Sequence, residues 1–360
     1  MGCSSAVNRE RALRKLDGGR RRAAQLARAI GVISFGAGVA LATLGAAPAG
    51  AAAPAGLPRL AIEPAGITVS GASSGGYMAT QFQVAHSALV RGAGIFGAGP
   101  WYCARGSMGR ALGECFDKAT SRPGGPELIA EARRLSTAGR IDDVRGLADD
   151  RVWLFRGTRD DKVAKPVADA LAEFYRAFVP AANLVYVETV PAAHGVPTVG
   201  AGAACGTTAE PFLNACDYDG AGALLAHLYG PLAKPAKAAA PRAFDQRRYD
   251  VDGALAPQGW VYVPAACARG ERCRLHVAFH GCRQGEDFVG ATFVNHAGYN
   301  RWAEANRIVV LYPQVRKSLL LPLNPQGCWD WWGYAGADYA TRDGAQVRAV
   351  RAMVRALAGL

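Results

Sequence analysis

The chain has 360 residues, half of them hydrophobic, with 41 Lys and Arg against 29 Asp and Glu and a formal net charge of +12. No block of lysine and arginine interleaves with aromatic residues, so nucleic acid is not an expected partner despite the charge. The length admits one large α/β domain or two small ones, and either can bury a sizeable core.

The first elements belong to a leader. Arg9, Arg11, Arg14, Lys15, Arg20, Arg21, Arg22 and Arg28 precede the apolar run "AIGVISFGAGVALATLGAAPAGAAA", which ends in small residues. Basic region, apolar region and A-x-A-like end describe a secretory signal over residues 1–53, and the rival reading is a retained membrane anchor. The leader's eight basic residues against Glu10 and Asp17 carry +6, so its removal takes about half of the net charge. The expected location is therefore secreted or periplasmic, with the folded domain over residues 54–360.

Next comes "GITVSG" (66–71), a strand pattern that runs through Gly71-Ala72-Ser73-Ser74-Gly75 into a helix pattern. A serine between two glycines at a strand-to-helix junction fits a nucleophile elbow, although G-x-S-x-G also occurs in ordinary turns. "RGAGIFGAG" and "RVWLFRG" read as further strands. They are nearly continuous in apolar residues, as strands covered on both faces must be. The second strand turns at Gly157 and places Asp160 at the loop tip, with Asp161 beside it as the weaker candidate acid. "KPVADALAEFYRAF" reads as a helix and "NLVYVETV" as a strand, after which His194 stands in a loop of small residues and prolines. Ser73, Asp160 and His194 follow one another in the order of an α/β-hydrolase triad. His86, His227, His276 and His296 have no acid spaced to orient them and are read as packing or surface residues.

"GPLAKPAKAAAPRAF" (230–244) reads as a linker over 231–244, dividing a triad half (66–230) from a second half (245–360). "GWVYVP", "RLHVAFHG" and "RIVVLYPQ" are strands there, and "NHAGYNRWAEAN" is a helix. The strand running into His280-Gly281-Cys282 has the form of a loop that donates to an oxyanion, yet such a loop normally lies upstream of the serine. Circular permutation resolves the order: the second half supplies early strands and an oxyanion donor, and neither half is complete alone. The chain closes on a helix with Val347, Val350, Val354 and Leu357 on one face. Alternation of strands and helices gives a single domain with a mostly parallel sheet flanked by helices.

Nine cysteines complete the picture, of which Cys3 lies in the leader. The remaining eight are Cys103, Cys115, Cys205, Cys216, Cys267, Cys273, Cys282 and Cys328. An even set in an exported protein suggests disulfides, with 105 possible connectivities, of which nearest-neighbour closure is the simplest. No spacing is C-x-x-C, so zinc is a poor alternative.

"SGASSGGYMATQFQVAHS", "RGTRDDKV", "PAAHGVPT", "FHGCRQ" and "NPQGCWDWWGY" together resemble the catalytic domain of poly(3-hydroxybutyrate) depolymerases. The resemblance is to the group with an N-terminal lipase box and a circularly permuted α/β-hydrolase fold, and it covers about Gly66 to Leu360. It implies Ser73 as nucleophile, Asp160 as acid, His194 as base, and backbone oxyanion donors at Ser74 and Cys282. It also implies an ester-hydrolysing enzyme without metal or other cofactor, acting on a polyester or oligoester and needing no protein partner. A Cys282–Cys328 disulfide is expected to pin the oxyanion loop beside the tryptophan segment, leaving the other three pairs as local staples without a catalytic role. Trp329, Trp332 and Tyr334 are the candidate substrate-binding aromatics, with Trp331 in the same run, and at least two of the four are expected in the core. Many similar chains continue into a polymer-binding domain and this one shows none, which favours oligomers or amorphous polymer over crystalline material. The rival functions are a feruloyl, acetyl-xylan or small-lipid esterase on the same fold, or a non-catalytic binding protein. An intact triad argues against the last.

Overall fold

The apolar runs become strands of one twisted sheet. In the computed structural model, which describes residues 55–120 and 122–360, the leader over 1–53 and Cys3 lie outside the described residues. The strands of the first half are β1 (Ile62–Ala72), β2 (Gly92–Phe96), β3 (Arg151–Phe155) and β4 (Leu184–Val187), followed by the short β5 (Val196–Thr198), β6 (Ala203–Ala204) and β7 (Leu213–Ala215). The second half adds β8 (Arg242–Asp245), β9 (Gln258–Tyr262), β10 (Cys273–Phe279) and β11 (Ile308–Tyr312). Eight strands form one sheet in the order β4-β3-β2-β1-β10-β11-β9-β8, and β5-β7-β6 form a small separate one. From β4 to β11 every pairing is parallel, whereas β9 and β8 join antiparallel.

Side chains alternate across the pleat, so a strand covered on both faces is apolar at every position. In β3, Val152 and Leu154 enter one core layer and Trp153 and Phe155 the other. The first layer holds the helices Ser74–Ala85 and Ala345–Ala358, the latter through Val347, Val350, Val354 and Leu357. The second holds the helices Gly220–Tyr229 and Tyr299–Asn306. Polar residues of β1 and β10 face this second layer as a satisfied network. His276 bonds Thr68 Oγ1 through Nδ1 and Ser70 Oγ through Nε2, both at 2.7 Å, and Ser70 Oγ meets Tyr299 OH at 2.8 Å.

The order of strands is that of a circularly permuted α/β hydrolase. β1 stands at the centre, β2 to β4 extend on one side, and β10, β11, β9 and β8 complete the other. Leu60 N–H donates to Leu357 C=O at 2.8 Å, so the two ends of the folded body touch. Joining them and cutting within 230–241 would make β8 the first strand of the large sheet and β4 its last.

Two local readings need correction. Residues 242–244, assigned to the linker, open β8, an edge strand whose Phe244 is buried while Arg242 stays exposed. "NHAGYNRWAEAN" is broken at Gly298 (φ 97°) into the helices Thr292–His296 and Tyr299–Asn306. Among the described residues no helix is long and apolar enough to cross a membrane.

Candidate active site

Parallel strands end at one edge of the sheet, and the chemistry collects there. β1 pairs Gly71 with Ile95 of β2 on one side and with Phe279 of β10 on the other. This register sets the residues after β1 directly beside those after β10. Ser73 takes φ 54° and ψ −122° at the head of the helix Ser74–Ala85, a backbone conformation that L residues rarely adopt. Its N–H donates to Phe96 O at 2.9 Å and its carbonyl accepts from Tyr77 N–H at 3.0 Å, which hold the turn in place. The flanking glycines are required by space. A Cβ on Gly71 would stand 2.0 Å from Gly75 O, and one on Gly75 would stand 2.3 Å from His280 O.

β3 and β4 supply the next two residues. The turn after β3 carries Asp160, whose Oδ1 accepts the N–H groups of Lys162 and Val163 at 2.9 Å each. His194 Nδ1 lies 3.0 Å from both Asp160 carboxylate oxygens. Burial raises the Asp160 carboxyl, but the imidazole and the two backbone donors outweigh it and hold the group below its ordinary value. An ionised carboxylate only accepts, so Nδ1 is the donor in this pair. Both side chains are nearly enclosed, at 8% exposure for His194 and 2% for Asp160. Ser73 and His194 line the same cavity. Ser73 Oγ forms no hydrogen bond among the described residues, and bonds of this kind commonly tighten only around substrate.

β10 brings the loop His280-Gly281-Cys282 against the elbow. A Cβ on Gly281 would lie 3.4 Å from Ser73 Cβ. Among the described residues neither the Ser74 nor the Cys282 N–H donates to another backbone or side-chain group. His280 fixes the loop from inside the core: Nδ1 bonds Gly281 O at 2.7 Å and Nε2 accepts Val315 N–H at 3.2 Å. Burial lowers its imidazole to about 4, so it stays neutral near pH 7. Gln284 braces the same loop, accepting Gly281 N–H at 2.7 Å and donating to Pro211 O and Phe212 O at 3.0 Å each. Disulfides join Cys103–Cys115, Cys205–Cys216, Cys267–Cys273 and Cys282–Cys328.

The shared cavity encloses about 510 Å³ and is mostly apolar, with Phe96, Met108, Leu112, Phe212, Leu323 and Trp331 on its walls. Here the aromatic assignments need correction. Trp329 is fully buried and packs edge-on to Phe279, away from the cavity. Tyr334 turns to a different cavity, and its OH donates to Cys328 O at 2.8 Å. Trp332 does line the cavity beside Ser73, and so does Trp331, which stacks on Tyr77 at 4.5 Å between ring centroids. An irregular segment has no period to say which of its aromatics faces which way. Gln284 was thus beyond sequence reasoning although it lies in a stretch singled out there, whereas Trp331 is one of the four aromatics of the tryptophan run considered there.

The fold is that of an α/β hydrolase, and Ser73, the Asp160–His194 pair and the His280-Gly281-Cys282 loop meet at one edge of its sheet. No family model matches the chain. A poly(3-hydroxybutyrate) depolymerase of Delftia acidovorans is 42% identical over 325 residues, covering 88% of this chain and 64% of that protein. A polyhydroxybutyrate depolymerase of Talaromyces funiculosus is 34% identical over 334 residues, covering 88% of this chain and 95% of its own length. The crystal structure of PHB depolymerase from Penicillium funiculosum superposes with a TM-score of 0.79 at 33% identity, over 84% of this chain and 99% of that one. A serine-to-alanine variant of a PHB depolymerase in complex with an R3HB trimer gives a TM-score of 0.80 at 32% identity, over the same shares. The chain belongs to the poly(3-hydroxybutyrate) depolymerase family.

Proposed function

We propose that this protein is an exported serine esterase that hydrolyses poly(3-hydroxybutyrate) or its oligomers through an acyl-enzyme. The observation that carries the reading is that Ser73, Cys282 and His194, the last bonded to Asp160, line one apolar cavity, while the N–H groups of Ser74 and Cys282 are unengaged among the described residues. His194 Nε2 takes the Ser73 hydroxyl proton as Oγ attacks the ester carbonyl, and Asp160 supports the imidazolium through Nδ1–H. The N–H groups of Ser74 and Cys282 receive the oxyanion. Collapse breaks the ester C–O bond, His194 returns the proton to the departing hydroxyl, and a 3-hydroxyacyl ester remains on Ser73. Water, deprotonated by His194, then releases the acid and restores the serine. Every proton is accounted for by the imidazole.

The cavity's apolar walls suit the methyl-bearing backbone of a polyester better than the many hydroxyls of a sugar. In the loop that leads to Leu323 on the cavity wall, Leu319, Leu320 and Leu321 are 76%, 80% and 93% exposed, an apolar edge suited to resting on a water-insoluble substrate. The disulfides support an oxidising compartment. The test is product analysis after incubation with amorphous poly(3-hydroxybutyrate), hydroxybutyrate oligomers and feruloyl esters, with Ser73→Ala as control. Release of 3-hydroxybutyrate products by the wild type alone is expected. Turnover confined to feruloyl esters would overturn the substrate, and undiminished turnover by Ser73→Ala would overturn the mechanism.

A further inference from the structure

Behind the base lies a second set of contacts that the triad does not include. His194 follows β4 on an irregular stretch, so no strand or helix fixes its backbone. Its N–H instead donates to Thr208 Oγ1 at 3.1 Å, and Thr208 Oγ1 donates to Asp161 Oδ1 at 2.5 Å. Asp161 Oδ2 lies 3.1 Å from Lys162 Nζ, which helps keep the carboxylate charged and accepting. Thr208 stands inside the loop closed by Cys205–Cys216. The same loop takes the neighbouring backbone on both sides of the base. Cys205 O accepts Ala193 N–H at 2.7 Å, and Phe212 O accepts Val196 N–H at 2.9 Å. It also reaches the other half of the site, since the Gln284 amide donates to Pro211 O and Phe212 O while bracing Gly281.

From these contacts we infer that the Cys205–Cys216 loop is a positioning element that sets the base against the oxyanion donors. Thr208, oriented by Asp161, is its positioning residue for His194. The inference rests on His194 being the base. It revises the expectation that this disulfide is a staple without bearing on catalysis. The physical reason is tolerance: reacting groups must be held near attack distance, and a displacement of about 1 Å can cost about 100-fold in rate.

Steady-state kinetics on a soluble short-chain nitrophenyl ester test the role, with a serine-directed phosphonate to count intact sites. Thr208→Val removes the hydroxyl that accepts from His194 and is expected to lower kcat per labelled site about 10- to 100-fold with KM little changed. Thr208→Ser keeps the hydroxyl and should restore most of the loss. Asp161→Ala changes an exposed side chain that the fold tolerates, and should lower kcat by a smaller factor even if Thr208→Val proves unstable. His194→Ala is the reference. If it retains turnover, the reading of the base fails. If it is inactive while Thr208→Val or Asp161→Ala keeps wild-type kcat, or Thr208→Ser is as impaired as Thr208→Val, the positioning role is wrong.

Discussion

Cys328 is disulfide-bonded to Cys282, and the peptide that follows it gives its N–H to Ser74 Oγ at 3.3 Å. One short segment thus grips both residues proposed as oxyanion donors. Replacing Cys282 and Cys328 together by serine should lower kcat and also cost roughly 2–5 kcal/mol of stability. Replacing Cys267 and Cys273 should affect stability alone. Kinetics well below each variant's unfolding temperature separate the two effects, and full turnover in the first variant would show that the bridge has no part in catalysis.

The choice of acid can be checked by a single pair. Asp160→Asn keeps the shape but leaves His194 without a negative partner, and should reduce kcat by several orders of magnitude. Asp161→Asn retains an acceptor for Thr208 and should stay close to wild type. The reverse pattern would mean that the wrong carboxylate has been assigned.

Two glycine replacements should have opposite signs. Gly75→Ala drives a methyl to within 2.3 Å of His280 O and must displace either the elbow or the facing loop, so activity should vanish. Gly113 lies in the exposed helix Met108–Glu114 with nothing within 4 Å of an added Cβ. Gly113→Ala should therefore stabilise by roughly 0.5–1 kcal/mol. Thermal melts and turnover measured on both variants decide the point.

Trp329 and Trp331, two residues apart, should respond to alanine in different ways. Trp329→Ala empties a core site and is expected to cost about 3–5 kcal/mol. Trp331→Ala removes a cavity wall stacked on Tyr77 and should raise KM for oligomers several-fold. A stable Trp329→Ala protein with raised KM would reverse these roles.

Stability should fall as the pH drops below neutral. Burial holds His86 at about 4, His276 at about 3 and His280 at about 4, whereas the unfolded chain titrates near 6.5. Between these limits the unfolded state binds more protons, so acid favours unfolding. Asp150 works against this. Burial raises it to about 7 despite the Gln83 amide, so the native state keeps a proton that the unfolded chain releases above about 3.9. Near pH 5 three histidines less one aspartate leave a net uptake of about two protons on unfolding, which falls to about one by pH 6.5. Asp150→Asn should raise the uptake near pH 5 to about three. Denaturant titrations from pH 5 to 6.5 give the slope directly, and an unchanged slope in the variant would mean that Asp150 is ionised in the native protein.

Much of this fold is legible in the sequence because its central strands carry apolar residues at every position. The elbow shows itself through Gly71 and Gly75, whose spacing records a steric need of the backbone. Other elements leave no such trace. β5, β6 and β7 have only two or three residues each, too few for any periodicity, and hold together through Cys205–Cys216. β8 hides in a Pro-, Ala- and Lys-rich stretch because an edge strand needs only one buried face. Gln284 and Thr208 act on backbone groups distant in sequence, and nothing local marks them. The Pro-, Ala- and Lys-rich stretch separates no independent sheet, since β1 pairs with β10 from the opposite half.

That last pairing reaches far along the chain. Ser70 stands opposite Ala278, and both partners lie at the middle of the sheet. During synthesis β1 to β4 are therefore complete while one side of β1 is still an open row of N–H and C=O groups. Such a chain carries a sticky strand edge until its second half arrives, and closure over so long a separation is intrinsically slow. Because the closing strand is also the one that delivers Cys282, a chain cut short before β10 would carry Ser73, Asp160 and His194 without the loop that the fold sets against them.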